Sequence, residues 1–289
     1  MPIERATLVE AVSASGGAVQ PDDQVDGLLA KLMALEATGR YASLLKGISS
    51  ANDKSNFLSL LLEATFAYQF ESRGLSLDYE VKQGANEGSS IDFGLKLGDA
   101  GAAYFELRLL QQDQATATKI AQQLTDAGLY AVIKDGVDEQ REILKLQSIV
   151  LSKVEDKHGK PTKFLKVDPG AFNVVAVCVS DLLLGMADLH DCILAAYGDP
   201  EVPEECRRGI FGLFQDVKPM YPAEIQVAAK RFAHLKATIH AVLFLFKPNG
   251  SGILDYSLQQ LLVWNRALTT EADAGALNDA LCAAIAPFK

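Results

Sequence analysis

One stretch of the sequence, Phe172 to Val179, is apolar at almost every position and rich in valine. A strand of this kind is typical of the interior of a parallel or mixed sheet, where both faces are covered. Such a sheet needs helices on both sides, because each apolar face has to be buried. The segment therefore predicts an α/β or mixed α+β fold with this strand at the centre of the core.

Composition narrows the class of protein. The chain has 289 residues, of which 49% are hydrophobic and 22% charged, so it is neither disordered nor collagen-like. Its formal net charge of −10 disfavours a protein that simply coats nucleic acid through basic side chains. The sequence shows no apolar run long enough for a membrane helix and no visible secretory signal, and its cysteines lack disulfide or zinc spacing. We therefore expect a cytoplasmic protein with free thiols and no membrane partner.

The segment before the apolar strand predicts a helix followed by three strands. The helix begins at Asp53 or Ser55, both of which can cap it, and ends at Gly74. Apolar and polar residues then alternate over 77–82 and 91–97, and a third strand over 102–110 follows a glycine-containing turn. Short turns between alternating segments predict an antiparallel meander.

The remaining patterns complete the expected architecture. Helices are predicted at 113–127, from 138 to 154, and at 181–197, 204–215, 222–236 and 271–285, with strands at 239–246 and 253–256. We interpret residues 1–50 as a helical N-terminal extension and residues 51–289 as one continuous α/β domain with a C-terminal elaboration.

The second and third strands allow a prediction of register. Their apolar residues are odd-numbered in both strands, so packing them on one face requires an even number-sum for opposed residues. A sum of 198 pairs Ile91 with Leu107 and Phe93 with Phe105. The prediction therefore places these four side chains together on the buried face.

The same register brings acidic residues together. It places Asp92 directly opposite Glu106, with Arg108 on the same face. Glu63 has apolar helical neighbours at −3, +3, +4 and +7 and so points inward, where a carboxylate needs a partner. A divalent cation would offset the repulsion between the carboxylates, although Asp92, Glu106 and Arg108 also suit the solvent-facing side of an ordinary hairpin.

These residues resemble those of the restriction-endonuclease-like, or PD-(D/E)XK, phosphodiesterase superfamily over about residues 55–181. In that family a helix with a glutamate precedes a strand meander, an aspartate lies on the second strand, and an acidic-x-lysine triplet lies on the third. A helix and a buried strand follow. Here Glu63, Asp92 and the triplet Glu106-Leu107-Arg108 match those positions.

The resemblance implies a fold, a cofactor and a function. The fold would be a restriction-endonuclease-like mixed central sheet flanked by helices. Glu63, Asp92 and Glu106 would bind magnesium, or manganese as a substitute, the Leu107 carbonyl would complete the shell, and Arg108 would bind phosphate. The implied activity is hydrolysis of nucleic-acid phosphodiesters. A non-catalytic module that keeps the fold and binds a protein partner is the alternative.

Two positions depart from the family pattern. Ile91 stands where the motif has proline, and Arg108 stands where it has lysine. Arginine stays protonated, so Arg108 can bind a phosphate but cannot take a proton from water. A lowered pKa of metal-bound water or a lysine from another position, such as Lys82, would have to replace the motif lysine.

Other patterns favour structural roles. Asp188 and His190 suggest a small-molecule site, but the apolar helical neighbours of His190 predict a buried, hydrogen-bonded histidine. Gln147 resembles polar helix residues of some family sites, and a boundary position explains it better. Four lysines, of which Lys163 is one, lie in a segment with His, Gly and Pro and are expected to be solvated.

Overall fold

The computed structural model of the protein describes residues 3–15, 20–82, 90–111, 118, 122, 125–126, 136–181, 187–201, 203–218, 223–248 and 250–288. The helices are α1 (Arg5–Ala14), α2 (Asp22–Ala37), α3 (Ala42–Ser49), α4 (Lys54–Glu71), α5 (Gly136–Ser152), α6 (Leu189–Tyr197), α7 (Ala223–Arg231), α8 (Ala233–Thr238) and α9 (Glu271–Ala284). The strands are β1 (Leu77–Lys82), β2 (Ser90–Lys96), β3 (Ala102–Gln111), β4 (Ala171–Asp181), β5 (Ala241–Phe246), β6 (Gln259–Trp264) and β7 (Ala286–Pro287).

The seven strands form one mixed sheet in the order in which they occur along the chain. Strands β1, β2 and β3 are antiparallel, β3, β4 and β5 are parallel, β6 is antiparallel to β5, and β7 is parallel to β6. Strand β4 is buried between β3 and β5, so the α/β class, the meander and the central apolar strand are confirmed.

Helices cover both faces of this sheet. One buried cluster contains residues of the helices α1, α2, α3, α4 and α9 and of the sheet face that carries Phe105. The other contains residues of α5, α6 and α8 and of the face that carries Val175. Leu8, Leu32 and Ile48 of the predicted N-terminal extension belong to the first cluster. The first 50 residues therefore share a core with α4 and the sheet.

Helix α4 is well defined at both ends. The side chain of Asp53 accepts a hydrogen bond from the backbone N–H of Asn56 at 2.8 Å, which is an N-terminal cap. At the other end Gly74 has φ of 75°, and the N–H of Leu75 bonds to the carbonyl of Phe70. The cap at Asp53 and the end at Gly74 agree with the sequence prediction.

Two glycines fix the starting points of β3 and β4. Gly101 has φ of 105°, and a Cβ atom on it would lie 1.7 Å from the carbonyl oxygen of Gly170. That same oxygen accepts a hydrogen bond from the N–H of Ala102 at 2.9 Å. Only glycine allows the two backbone segments to approach so closely, and this approach aligns the parallel strands β3 and β4.

A group of uncharged polar side chains ties together the ends of β4, β5 and β6. His240 accepts a hydrogen bond at Nδ1 from the N–H of Asn173, at 3.0 Å. Asn173 donates to the carbonyl of Thr238 at 3.0 Å, and Asn265 donates to the carbonyls of Lys236 and Ile239 at 2.7 and 2.8 Å. We call Asn173, His240 and Asn265 the neutral network.

Three predictions after β4 were wrong. Of the helix predicted over 181–197, residues 182–186 lie outside the described part of the chain, residues 187 and 188 are not helical, and α6 begins at Leu189, where Asp188 and Asp191 form a capping box. Residues 204–215 contain a single 3₁₀ turn, Glu204–Cys206, and the N–H groups of Leu213 and Phe214 bond to carbonyls of α6 instead. No strand forms over 253–256, and β6 follows at Gln259–Trp264.

Other predictions hold in part. The helix predicted over 222–236 is divided at Phe232 into α7 and α8. The helix predicted over 113–127 lies mostly outside the described residues, although positions 118, 122, 125 and 126 are helical. Cys178, Cys192 and Cys282 are free thiols. Among the described residues, no helix combines the length and the apolar character needed to cross a bilayer.

Candidate active site

The predicted register between β2 and β3 is correct where the two strands pair. The pairing stops next to the acidic residues. Phe93 lies opposite Phe105, which gives the number-sum of 198. The backbone pairs stop there, and the carboxylate of Asp92 accepts a hydrogen bond from the N–H of Leu107, with Oδ2 at 2.7 Å. Asp92 therefore contacts β3 through its side chain, and the predicted direct opposition to Glu106 was wrong.

An irregularity in β1 lies opposite this point. Glu80 has φ of 53°, and the backbone pairs between β1 and β2 run from Tyr79 with Phe93 to Val81 with Ile91, omitting Glu80 and Asp92. Ile91 packs in the second buried cluster, whereas Phe93 packs in the first. The prediction that Ile91 shares the face of Phe93 was wrong, because regular alternation is interrupted between them.

Glu63 reaches the same region from α4. One turn further along this helix, Phe66 packs against Phe93 and Phe105, with ring centroids 5.4 and 5.5 Å apart. This packing orients the helix so that Glu63 Oε2 accepts a hydrogen bond from the hydroxyl of Tyr79 at 2.8 Å. The predicted inward orientation thus gives Glu63 a partner that sequence spacing did not identify.

Burial and mutual repulsion disfavour ionisation of two of the acids. Burial, and then the charge of Asp92, raise the pKa of Glu63 to about 7. Burial, and then the charge of Glu106, raise the pKa of Asp92 to about 6, although Lys153 and the N–H of Leu107 act against the rise. Burial followed by the charge of Glu63 also raises the pKa of Tyr79. The three acids are therefore electrostatically coupled.

Glu106 is fully buried and bound by two lysines. Lys153, just after α5, donates to Oε1 with Nζ at 2.7 Å, and the Nζ atom of Lys163, in the segment before β4, lies 2.5 Å from Oε2. The contact with Lys163 is an ion pair without the angle of a good hydrogen bond. We call Glu63, Asp92, Glu106, Lys153 and Lys163 the charged cluster.

Sequence reasoning missed both lysines of this cluster. The side chain of Lys163, predicted to be solvated, is only 22% exposed, whereas the predicted replacement lysine, Lys82, lies exposed at the end of β1. Lys153 is 47 residues from Glu106 in the chain, so no short motif connects them. Its place at the end of an amphipathic helix that crosses from β3 to β4 is the only signal that pointed towards the site.

A cleft of about 330 Å³ opens beside the charged cluster. Its wall is the N-terminal half of α4, from Asp53 to Glu63, and its floor is the segment Leu107–Leu109 of β3, with Lys153 between them. Arg108 is exposed in this cleft and has no ion-pair partner in the described part of the chain. The cleft thus contains an exposed guanidinium group together with Glu63, the one acid of the charged cluster that lines it.

The chemistry of the three acids suits a hard divalent cation, since magnesium prefers carboxylate oxygens. Burial, and then the charge of a neighbouring acid, raise the pKa values of Glu63 and Asp92, and a bound cation would oppose that rise. Among the described residues, however, no group of three or more His, Cys, Asp and Glu side chains is arranged to hold a metal ion. Glu106 differs from the other two acids because lysines occupy both of its oxygens.

The other polar residues considered from the sequence have structural explanations. Asp188 caps α6, and His190 is exposed, so the prediction of a buried histidine was wrong. Gln147 is buried and donates to the carbonyls of Ala195 and Phe211 at 2.9 and 2.8 Å, so it is a core amide and not a boundary residue. None of the three lines the cleft.

Comparison with protein-family models, with curated proteins and with solved structures found no match to this chain. Any statement about its activity therefore depends on the residues of the charged cluster and the cleft.

Proposed function

We propose that this protein is a magnesium-dependent phosphodiesterase of the restriction-endonuclease-like type that acts on nucleic acid. The supporting observation is that Glu63, Asp92 and Glu106, from α4, β2 and β3, form one coupled group beside a cleft. The succession α4, β1, β2, β3, α5 and β4 follows the order expected from the resemblance. Functional sites commonly contain such groups of titratable residues with strongly shifted pKa values.

Hydrolysis of a phosphodiester forms a bond between the water oxygen and phosphorus and breaks one ester P–O bond, whose oxygen gains a proton. The proposal gives Glu63, Asp92 and Glu106 the task of holding magnesium, or manganese in its place. A bound ion of this kind lowers the pKa of water and offsets the charge on the phosphate.

Arg108 has a binding role in this proposal. Its guanidinium group cannot deprotonate at neutral pH, so it does not take the place of a lysine that exchanges protons. Its planar donors are suited to two oxygens of one phosphate. Because Arg108 is exposed on the floor of the cleft, it is available to a substrate phosphate.

The test is a cleavage assay with single- and double-stranded DNA and RNA in magnesium or manganese. We expect Asp92→Asn and Glu106→Gln to reduce cleavage by about 100-fold or more, and a chelator to abolish it. Asp78→Asn is the matched control, since Asp78 is an exposed acid of the same sheet that meets Lys96 only at 3.9 Å. Equal cleavage by Asp92→Asn, or cleavage in chelator, would contradict the proposal.

A non-catalytic binding module with the same fold is the second candidate. Lys153 and Lys163 already neutralise Glu106 without a metal ion, and the net charge of −10 suits a basic protein partner better than nucleic acid. Calorimetry separates the two candidates. Heat of magnesium or manganese binding that is lost in Asp92→Asn favours the phosphodiesterase, and no heat at all favours the module.

A further inference from the structure

The cleft beside the charged cluster receives side chains from both faces of the sheet. Three consecutive residues of β3, Leu107 to Leu109, line it, beyond the last backbone pair with β2, and β4 pairs with all three on the other edge. Leu107 and Leu109 belong to the first buried cluster with α4, so alternation along the strand directs Arg108 to the opposite face. The cleft therefore lies at the β2-facing edge of β3, with α4 on one side and Arg108 and Lys153 on the other.

The side formed by α4 offers mainly hydrogen-bond acceptors. The hydroxyl of Ser59 donates to the carbonyl of Ser55 at 3.0 Å, so its oxygen is left to accept from a ligand. The carboxylate of Asp53, at the N-terminal end of this wall, is also an acceptor. A ligand that contacts Ser59 or Asp53 therefore has to supply a donor, which a phosphate group does not have and a sugar hydroxyl has.

The opposite side offers donors with positive charge. The guanidinium group of Arg108 is exposed and carries five N–H donors. The ammonium group of Lys153 has three donors, of which one goes to Glu106 Oε1 at 2.7 Å, so it can bind a second anion without leaving Glu106. Lys163 compensates the other oxygen of Glu106. This side of the cleft therefore suits the oxygens of a phosphate.

We propose that the cleft binds a ribose phosphate unit of RNA, with the phosphate on Arg108 and Lys153 and the ribose 2′-hydroxyl donating to Ser59. This inference rests on the proposed function for the kind of substrate, a nucleic acid, and it names RNA as the substrate class. The ribose 2′-hydroxyl can both donate and accept, and DNA lacks it. Binding at these residues requires no metal ion.

The size and composition of the cleft favour contact with the sugar and phosphate over contact with a base. Its volume of about 330 Å³ is at the lower end of the range for small-ligand sites. Among the described residues that line it, none has an aromatic side chain on which a base could stack. Recognition of RNA by this cleft therefore depends on the 2′-hydroxyl and should not depend on base identity.

Calorimetry in the presence of a chelator tests the site apart from any metal. The probes are the trinucleotides of uridine and of deoxyuridine, which differ only at the 2′ positions. We expect the uridine trinucleotide to bind about 5-fold more tightly, the effect of one additional hydrogen bond. Equal affinities, or no binding of either trinucleotide at millimolar concentration, would overturn the proposal.

Two variants separate the two halves of the site. Ser59→Ala removes the acceptor and keeps a good helix former, so the preference for the uridine trinucleotide should disappear while binding of the deoxyuridine trinucleotide is unchanged. Arg108→Gln should weaken binding of both trinucleotides about 10-fold. A preference that survives in Ser59→Ala would show that Ser59 does not contact the 2′-hydroxyl.

The controls come from the other end of α4. Ser72 is an exposed serine whose hydroxyl donates to the carbonyl of Gln69 at 3.1 Å, much as Ser59 donates to Ser55, and Arg73 is exposed beside it. Ser72→Ala and Arg73→Gln should leave both affinities unchanged. Losses as large as those at Ser59 and Arg108 would mean that the trinucleotides bind outside the cleft.

The outcomes for binding and for cleavage are distinguishable. Metal-dependent cleavage of RNA and DNA at equal rates, with equal affinities for the two trinucleotides, would leave the proposed function standing and remove the RNA assignment. A preference for the uridine trinucleotide that depends on Ser59, without cleavage in magnesium or manganese, would support the ribose phosphate site and contradict the phosphodiesterase.

Discussion

The neutral network and the charged cluster are two groups of buried polar side chains on the same sheet. In the network, Asn173 and Asn265 donate to backbone carbonyls and His240 accepts from a backbone N–H, so its bonds join uncharged groups. In the cluster, three acids meet two lysines, and two of the acids have raised pKa values. A buried polar group that only supports the fold can be neutral and fully paired, as the network shows. The charged cluster differs from the network in this respect, and the proposed function depends on that difference.

The two groups should also respond to pH in opposite directions. Burial lowers the pKa of His240, so this residue costs stability as pH falls below the ordinary histidine value of about 6.5. The acids of the cluster have raised pKa values, so they cost stability as pH rises from about 4 to about 7. Lowering the pH thus stabilises the charged cluster and destabilises the neutral network.

The largest effect on stability should come from Glu106→Gln. This change leaves Lys153 and Lys163 without their shared counter-charge, and we expect a loss of about 3 kcal/mol in the free energy of unfolding at pH 7. Urea denaturation measures the loss. Asp78→Asn, on the exposed surface of β1, should change stability by less than about 0.5 kcal/mol. Equal effects of the two variants would remove the distinction between the cluster and ordinary surface charge.

The next largest effect should come from Asn265→Ala in the neutral network. This variant loses two hydrogen bonds and leaves the carbonyls of Lys236 and Ile239 without that donor, which should cost about 2 kcal/mol. Because no ionisable group is removed, the loss should be the same at pH 5 and at pH 8. A loss that differs between the two pH values by more than about 1 kcal/mol would contradict the assignment of this network as purely structural.

Glu63→Gln should have the opposite sign. The pKa of Glu63 is raised from 4.5 to about 7, so the cost of its ionisation in the folded state grows over that range, is complete above pH 7 and is small at pH 4. The amide can still accept the hydrogen bond of Tyr79. We expect the variant to be more stable than the parent by about 1 to 2 kcal/mol at pH 8 and equal at pH 4. A less stable variant at pH 8 would mean that Glu63 is well compensated.

The smallest effect is expected at Lys82, the lysine that sequence reasoning offered as a replacement. It is exposed at the end of β1, and the ammonium groups that reach Glu106 come from other elements. Lys82→Met should therefore change the free energy of unfolding by less than about 0.5 kcal/mol and leave cleavage unchanged. A large loss of cleavage in this variant would show that Lys82 takes the place of the motif lysine.

How much of the structure can be predicted from the sequence depends on how far apart in the chain the interacting residues lie. The helix ends at Asp53 and Gly74 and the register of Phe93 with Phe105 follow from local rules, namely capping and alternation. The position of Ile91 on the other face of the sheet could not be predicted, because it accompanies a positive φ at Glu80. Glutamate is not a residue type that indicates a positive φ. The prediction of a helix over 204–215 was wrong because backbone N–H groups of this segment bond to carbonyls of α6.

The candidate site divides in the same way. Helical periodicity predicted that Glu63 points inward, and strand alternation singled out Glu106, whereas Asp92 lies beyond the last β2–β3 pair and reaches β3 only through its side chain. Lys153 and Lys163 were missed because only the crossing of α5 and the folding of the segment before β4 bring them to Glu106. Contacts between residues that are 47 or more positions apart depend on the tertiary fold, and a single sequence does not encode them in a readable spacing.

The close approach of Gly101 and Gly170 has a consequence for tracing the ancestry of this chain. Any side chain at position 101 would collide with the backbone of the neighbouring segment, whatever residues stand at the positions of the acids. Descendants of the same ancestor that have lost the carboxylates should therefore still keep this glycine. Glycine at both positions, about 70 residues apart as here, would be a more durable mark of kinship than the acids themselves.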